Sequence, residues 1–252
     1  MTAGWLNERS GVDTAIDGID VAADLGTNFL GILPLPRDVV NDVMFETRLN
    51  DIGSATPGTD VRPVVHHHAG AHVEQPDEIR RWLEEGPEEF ELLFDTGHYY
   101  AYGDVTEGIE CFAAAVVYVH YTPPSDSESH LANPSAGKAD YDSIMTYVGA
   151  FTDLGEGALD FEDITAALGD VGYDGHRPVE VDTVDGSTRT HAQQKPRVID
   201  DAVCSDRGSH RSEKSLAMPS SGLTLCGTFR RRPSRVRYPD RGRRGRLLSR
   251  PE

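Results

Sequence analysis

The run Val64-Val65-His66-His67-His68-Ala69-Gly70-Ala71-His72-Val73-Glu74 carries two strand-forming valines into a crowd of imidazoles and a carboxylate. Successive side chains of a strand point to opposite faces, so His66 and His68 are expected on one face and His67 on the other. Three further strand-like runs end in residue types that bind metals. They are Leu92-Leu93-Phe94-Asp95-Thr96-Gly97-His98, Val116-Val117-Tyr118-Val119-His120 and Pro178-Val179-Glu180-Val181-Asp182. A single buried histidine or aspartate is ordinarily a hydrogen-bonded core residue. Four strand ends offering His, Asp, His and Glu instead point to one divalent-metal site, to which the first strand gives His66 or His68. Mixed nitrogen and carboxylate ligands suit Mn, Co, Fe or Zn better than Ca or Mg. Such an ion polarises a ketone and stabilises an enediolate, easing loss of the proton beside the carbonyl. His67 and His72 read as structural or solvent-facing, and Asp182 as a partner of a ligand. Asp153 and Glu156 read as shaping a loop, and Tyr99, Tyr100 and Tyr102 as loop packing able to line a pocket.

Elements must exist to bring these ends together. Apolar periodicity predicts helices over residues 11–25, 37–52, 75–86, 106–115 and 161–168, with a shorter piece near 141–147 and a last one over 188–202. Strands are predicted over 28–35, 61–68, 90–95, 116–121 and 177–181. Strands alternating with helices imply a parallel sheet with crossover helices. Chemistry gathered at the carboxyl ends of several strands favours a (β/α)8 barrel. No glycine-rich phosphate loop follows any strand, which counts against a doubly wound open sheet. Only five strands are found where a closed barrel has eight, and the series opens on a helix, so the barrel is expected to be incomplete at its N-terminal side.

The formal net charge of the 252 residues is −18, unevenly divided. Residues 204–252 hold 12 Arg and 1 Lys against 4 acids, leaving −27 on residues 1–203. The chain is accordingly divided into a barrel domain over 1–203 and an Arg/Ser-rich tail over 204–252, too poor in apolar residues to order itself. The acidic body, with Lys138 and Lys195 as its two lysines, fits a protein working in concentrated salt and speaks against nucleic acid as the main domain's partner. Three scattered cysteines set no disulfide framework, and neither a signal peptide nor a membrane-spanning run is found. The cytoplasm is the expected compartment, and a homo-oligomer is left open.

The strings Val65-His66-His67-His68-Ala69-Gly70, Leu93-Phe94-Asp95-Thr96-Gly97-His98, Val119-His120, Phe151-Thr152-Asp153-Leu154-Gly155-Glu156-Gly157 and Gly172-Tyr173-Asp174-Gly175, with Val179-Glu180-Val181-Asp182, resemble the inosose dehydratases in order and spacing. These belong to the xylose-isomerase-like sugar phosphate isomerase/epimerase barrels. The resemblance implies a (β/α)8 TIM barrel with a divalent metal, Mn2+ or Co2+. The implied reaction is dehydration of a polyol ketone, 2-keto-myo-inositol (inosose), through an enediolate in inositol catabolism. It makes Asp95, His120 and Glu180 metal ligands with His66 as the fourth, and turns His68, Glu74 and His98 toward substrate as acid/base or hydrogen-bonding groups. Where the family has Lys-Asp after the strand-end histidine, this chain has Tyr121-Thr122-Pro123-Pro124, which removes a cationic substrate contact. Two other readings stay open: a sugar isomerase or epimerase acting on a ketose or hydroxypyruvate, and a truncated, inactive relative that binds metal or sugar.

Overall fold

The computed structural model describes residues 9–34, 37, 39–125, 146–147 and 149–180 in full, and residues 2–3 by their backbone. The helix expected over 188–202, the tail over 204–252, Val181 and Asp182 lie outside the described residues. The order is β1 (Thr2–Ala3), α1 (Arg9–Asp24), β2 (Phe29–Ile32), α2 (Asp42–Gly53), β3 (Arg62–His66), α3 (Pro76–Glu85), β4 (Glu91–Asp95), α4 (Thr96–Tyr100), α5 (Val105–Phe112), β5 (Val116–His120) and α6 (Phe161–Asp170).

The sheet runs β1-β2-β3-β4-β5 in sequence order, and every neighbouring pair is parallel. A doubly wound sheet reverses its strand order at a switch point, whereas an unreversed order is the wall of a barrel. Alternation then divides the side chains. Leu30, Ile32, Val65, Leu92, Phe94 and Val119 face the helices and join Val12, Ile19, Phe45, Leu49, Ile79, Phe112, Ile164 and Leu168 in one buried core. Burying each such side chain contributes about 1.5–3 kcal/mol, so this layer holds the wall together.

The opposite face carries four levels. Register aligns Phe29 with Arg62, then Gly31 with Val64, and higher up Leu93 with Tyr118 and Asp95 with His120. Phe29, Gly31, Arg62, Val64, Leu93, Tyr118, His120 and His176 line a cavity of about 550 Å3 on this concave side. The two upper levels, His66 beside Leu93 and Asp95 beside His120, hold the histidines and carboxylate that the strand ends were expected to gather.

Local chemistry explains where the elements depart from the periodicity. Strand β1 precedes the first helix, so the sheet starts earlier than expected. Helix α2 begins at Asp42 rather than near 37, because the Asn41 side chain accepts a hydrogen bond from the Met44 N–H at 2.9 Å and caps it there. The segment expected as a strand over 177–181 forms only an isolated parallel bridge between Tyr121 and Val179 among the described residues. Its backbone still follows β5: Tyr121 N–H donates to Pro178 O at 2.9 Å and Glu180 N–H to Tyr121 O at 3.0 Å. Asp153 and Glu156 shape a turn, closed by the Glu156 N–H on Asp153 O at 2.9 Å. No helix among the described residues is long and apolar enough to cross a membrane.

The short helix α4 has no counterpart in the periodicity. Its start requires a glycine, since a Cβ on Gly97 would lie 2.7 Å from Thr122 O. Replacing Gly97 with Ala should therefore force the β4 and β5 ends apart, lowering stability by about 1–3 kcal/mol as an overpacked site does. A denaturant melt of the variant beside the parent chain reads this; an unchanged midpoint would refute the close approach.

Candidate metal centre

Asp95 ends β4 fully buried, and each part of it has its own partner. Its backbone N–H donates to His67 Nε2 at 2.9 Å. Its Oδ1 accepts from the His98 N–H at 2.9 Å and so caps helix α4. Its Oδ2 accepts from Thr122 Oγ1 at 2.7 Å, lies 3.2 Å from His66 Nε2, and stands 3.6 Å from His120 Nδ1. His120 Nδ1 also meets Glu180 Oε2 at 2.6 Å.

One ligand atom from each of His66, Asp95, His120 and Glu180 lies within 4.8 Å of the others. Donors held about 2.0–2.2 Å from a common ion sit roughly 3 Å apart when adjacent and about 4.3 Å apart when opposite. The pair distances of 3.2, 3.6 and 2.6 Å fall in or near that range, and two imidazoles with two carboxylates suit a borderline divalent cation. The donor set therefore fits the metal that the strand ends implied.

The electrostatics follow from this crowding. Burial opposes ionisation of Asp95, but the imidazoles of His98, His120 and His66 outweigh it and hold its carboxyl well below the usual range. Burial also opposes charge on His120, yet its hydrogen bonds to Asp95 and Glu180 raise it to about 9. The other rings move the opposite way. Burial, reinforced by neighbouring imidazoles, lowers His68 to about 4 and His98 well below its ordinary value. Burial lowers His67 to about 3. Burial thus keeps His67, His68 and His98 neutral, while His120 holds its proton between Asp95 and Glu180.

The alternation expected at 66–68 holds. The His66 ring is 5.6 Å from that of His68, 5.5 Å from His98 and 4.9 Å from His120. His68 and His98 are closer still, at 3.8 Å between centroids. His67 points away, buried beside Phe94 and Tyr99, where it is structural rather than solvent-facing and receives the Asp95 N–H. His72 is likewise structural, stacked on Phe45 at 4.7 Å with its Nδ1 2.9 Å from Asp42.

Glu74 is not gathered with the four. Its Oε1 accepts from Gly70 N–H at 2.7 Å and from the Tyr102 hydroxyl, and its Oε2 from Arg37 at 2.8 Å. Tyr102 thus does more than pack a loop, while Tyr99 belongs to the core. Sequence reasoning passed over Thr122 and Arg37. Thr122 carried a usable signal: it stands two residues after His120 and so falls on the same face of an extended chain. Arg37 carried none, because its partners lie 37 and 41 residues away.

A family model described as xylose isomerase-like TIM barrel matches residues 5–202. The inosose dehydratase of Clostridium perfringens is 30% identical over 173 residues, covering 64% of this chain and 57% of its own length. That of Geobacillus thermodenitrificans is 28% identical over 135 residues, covering 53% of this chain and 45% of its own. The chain thus spans about half the length of the curated relatives it matches. Among solved structures, a D-tagatose 3-epimerase-like protein aligns with a TM-score of 0.59 at 16% identity, covering 80% of this chain and 75% of its own. At that identity the likeness shows the fold.

Two measurements probe the centre. Thr122→Val removes the hydroxyl that steadies Asp95 Oδ2, and affinity for Mn2+ or Co2+ in calorimetric titration should fall about 10–100-fold; equal affinity would show that the hydroxyl does not orient the ligand. Without metal His120 keeps its proton up to about pH 9, and a ligand must be neutral. Metal affinity should therefore rise about tenfold per pH unit from 7 to 9, with about one proton released per ion at pH 7. A flat pH profile would contradict the raised His120.

Proposed function

We propose that this chain, which belongs to the xylose isomerase-like TIM barrel family, carries out the metal-dependent dehydration of a polyol ketone such as 2-keto-myo-inositol. The observation that carries the reading is the convergence of His66, Asp95 and His120 from the ends of β3, β4 and β5 with Glu180 from the segment bridged to Tyr121. Relatives named inosose dehydratase support it. The four residues would hold Mn2+ or Co2+, which acts as a Lewis acid toward a ketone oxygen when bound.

The chain's own residues supply the rest. Asp95 stays ionised and is steadied by Thr122, so the first ligand needs no rearrangement before it binds. His120 and Glu180 hold one another beside it. His68 and His98, kept neutral by burial and paired at 3.8 Å, give the hydrogen-bonding and proton-handling groups. Glu74, with both oxygens engaged by the protein, anchors the turn that presents His68 rather than acting on substrate. Beside these groups, the cavity walled by Val64, Leu93 and Tyr118 is of the size that small-ligand sites take. We place the activity in residues 1–203.

The test is an assay of the purified chain with 2-keto-myo-inositol, with and without Mn2+ or Co2+. A metal-dependent, ultraviolet-absorbing diketone is expected, at least a hundredfold weaker in Asp95→Asn. A ketose isomerised or epimerised without loss of water would replace the dehydratase reading. Stoichiometric metal binding with no turnover of any polyol ketone would leave a binding protein.

A further inference from the structure

The two backbone groups of Ala69 meet two different histidines. Its N–H donates to His98 Nδ1 at 3.4 Å, so that nitrogen offers a lone pair and neutral His98 carries its proton on Nε2. Its carbonyl, which can only accept, lies 2.9 Å from His68 Nδ1. That nitrogen must carry the proton, which leaves the lone pair of neutral His68 on Nε2. We infer that Ala69 sorts the paired rings of His68 and His98 into opposite tautomers, making His68 the acceptor and His98 the donor toward a bound polyol ketone.

Ala69 is held firmly enough to do this. It is 1% exposed. The turn around it is closed by His68 N–H on Val73 O at 3.0 Å and Ala71 N–H on His68 O at 3.1 Å. Gly70 follows with a φ of 77°, a conformation that favours glycine. Its N–H is taken by Glu74 and its carbonyl by the Arg37 N–H at 3.2 Å. Arg37 in turn grips Glu74 at 2.8 Å and Glu78 at 2.6 Å. Glu74 is thus a positioning residue for the pair.

The assignment rests on the dehydratase reading for its chemical meaning, and it divides the work. The proton on the carbon beside the ketone passes to His68 Nε2, and the C–H electron pair forms the new carbon–carbon double bond as the neighbouring C–O bond breaks. The same proton then leaves with that hydroxyl as water, returning His68 to its neutral form. His98 keeps its proton throughout and donates a hydrogen bond to a substrate oxygen. One acceptor beside one donor matches a neutral hydroxy-ketone, whereas a carboxylate substrate would find only one of the two rings able to serve it.

Nitrogen-15 spectra of the full chain, labelled at histidine and free of metal at pH 7.5, read the tautomers directly. His68 should show a protonated Nδ1 and an unprotonated Nε2, and His98 the reverse. The same tautomer in both rings, or a doubly protonated ring at either position, overturns the proposal. Ala69→Pro deletes the N–H, and a folded variant should show His98 as a mixture of tautomers while His68 is unchanged; a pure Nε2–H form of His98 would show that Ala69 is not the cause. If that variant does not fold, the parent spectrum alone decides. The spectra need neither substrate nor ion. The tautomers can therefore fail while dehydration is observed, and dehydration can fail with the tautomers as stated.

Discussion

A carboxylate buried completely at the end of β4 must be compensated from every side, and the arrangement around Asp95 meets that demand. One oxygen starts helix α4, which brings His98 back toward β3. The other gathers His66 and Thr122 and stands beside His120. The backbone N–H is received by His67 on the far face. Removing any one partner would leave a desolvated group exposed to the rest. The imidazoles hold the charge in place, and the charge in turn gives the imidazoles a common centre.

That centre can exist because the sheet separates two kinds of work. Its outer face is apolar and packed by helices, which contributes the stability. Its inner face is relieved of that duty, so it can tolerate polar and partly exposed residues such as Arg62, Tyr118 and His120 around a cavity. The parallel, unreversed strand order then delivers every strand's carboxyl end to the same rim. Chemistry collects at that rim because backbone direction puts it there.

Rigidity at the rim comes from polar contacts rather than from core packing. The turn after β3 is fastened by Glu74, Arg37, Glu78 and Tyr102, groups drawn from four separate segments. Buried ion pairs of this kind contribute little net stability but fix a geometry. Here they fix the peptide groups beside His68 and His98, so the same neutral residue type can serve in two senses. The closeness of Gly97 to Thr122 does similar work between β4 and β5.

How much of this was written in the chain follows from which contacts are local. Alternation alone set His66 and His68 on one face and His67 on the other, and strand ends rich in His, Asp and Glu marked the metal-type tier; both are properties of neighbouring residues. The strings at 65–70 and 93–98 pointed to the family, and the family model over residues 5–202 agrees. The short strand at Thr2–Ala3, helix α4 and the late start of α2 escaped the periodicity, because two or five residues carry too little of it and a cap can override it. Only the tertiary structure decided that Thr122 steadies Asp95, that His67 supports it from behind, and that Glu74 is an anchor held by Arg37. Those roles depend on hydrogen bonds between residues about 27 to 37 positions apart, and a pattern read along the chain has no means of measuring distance across it.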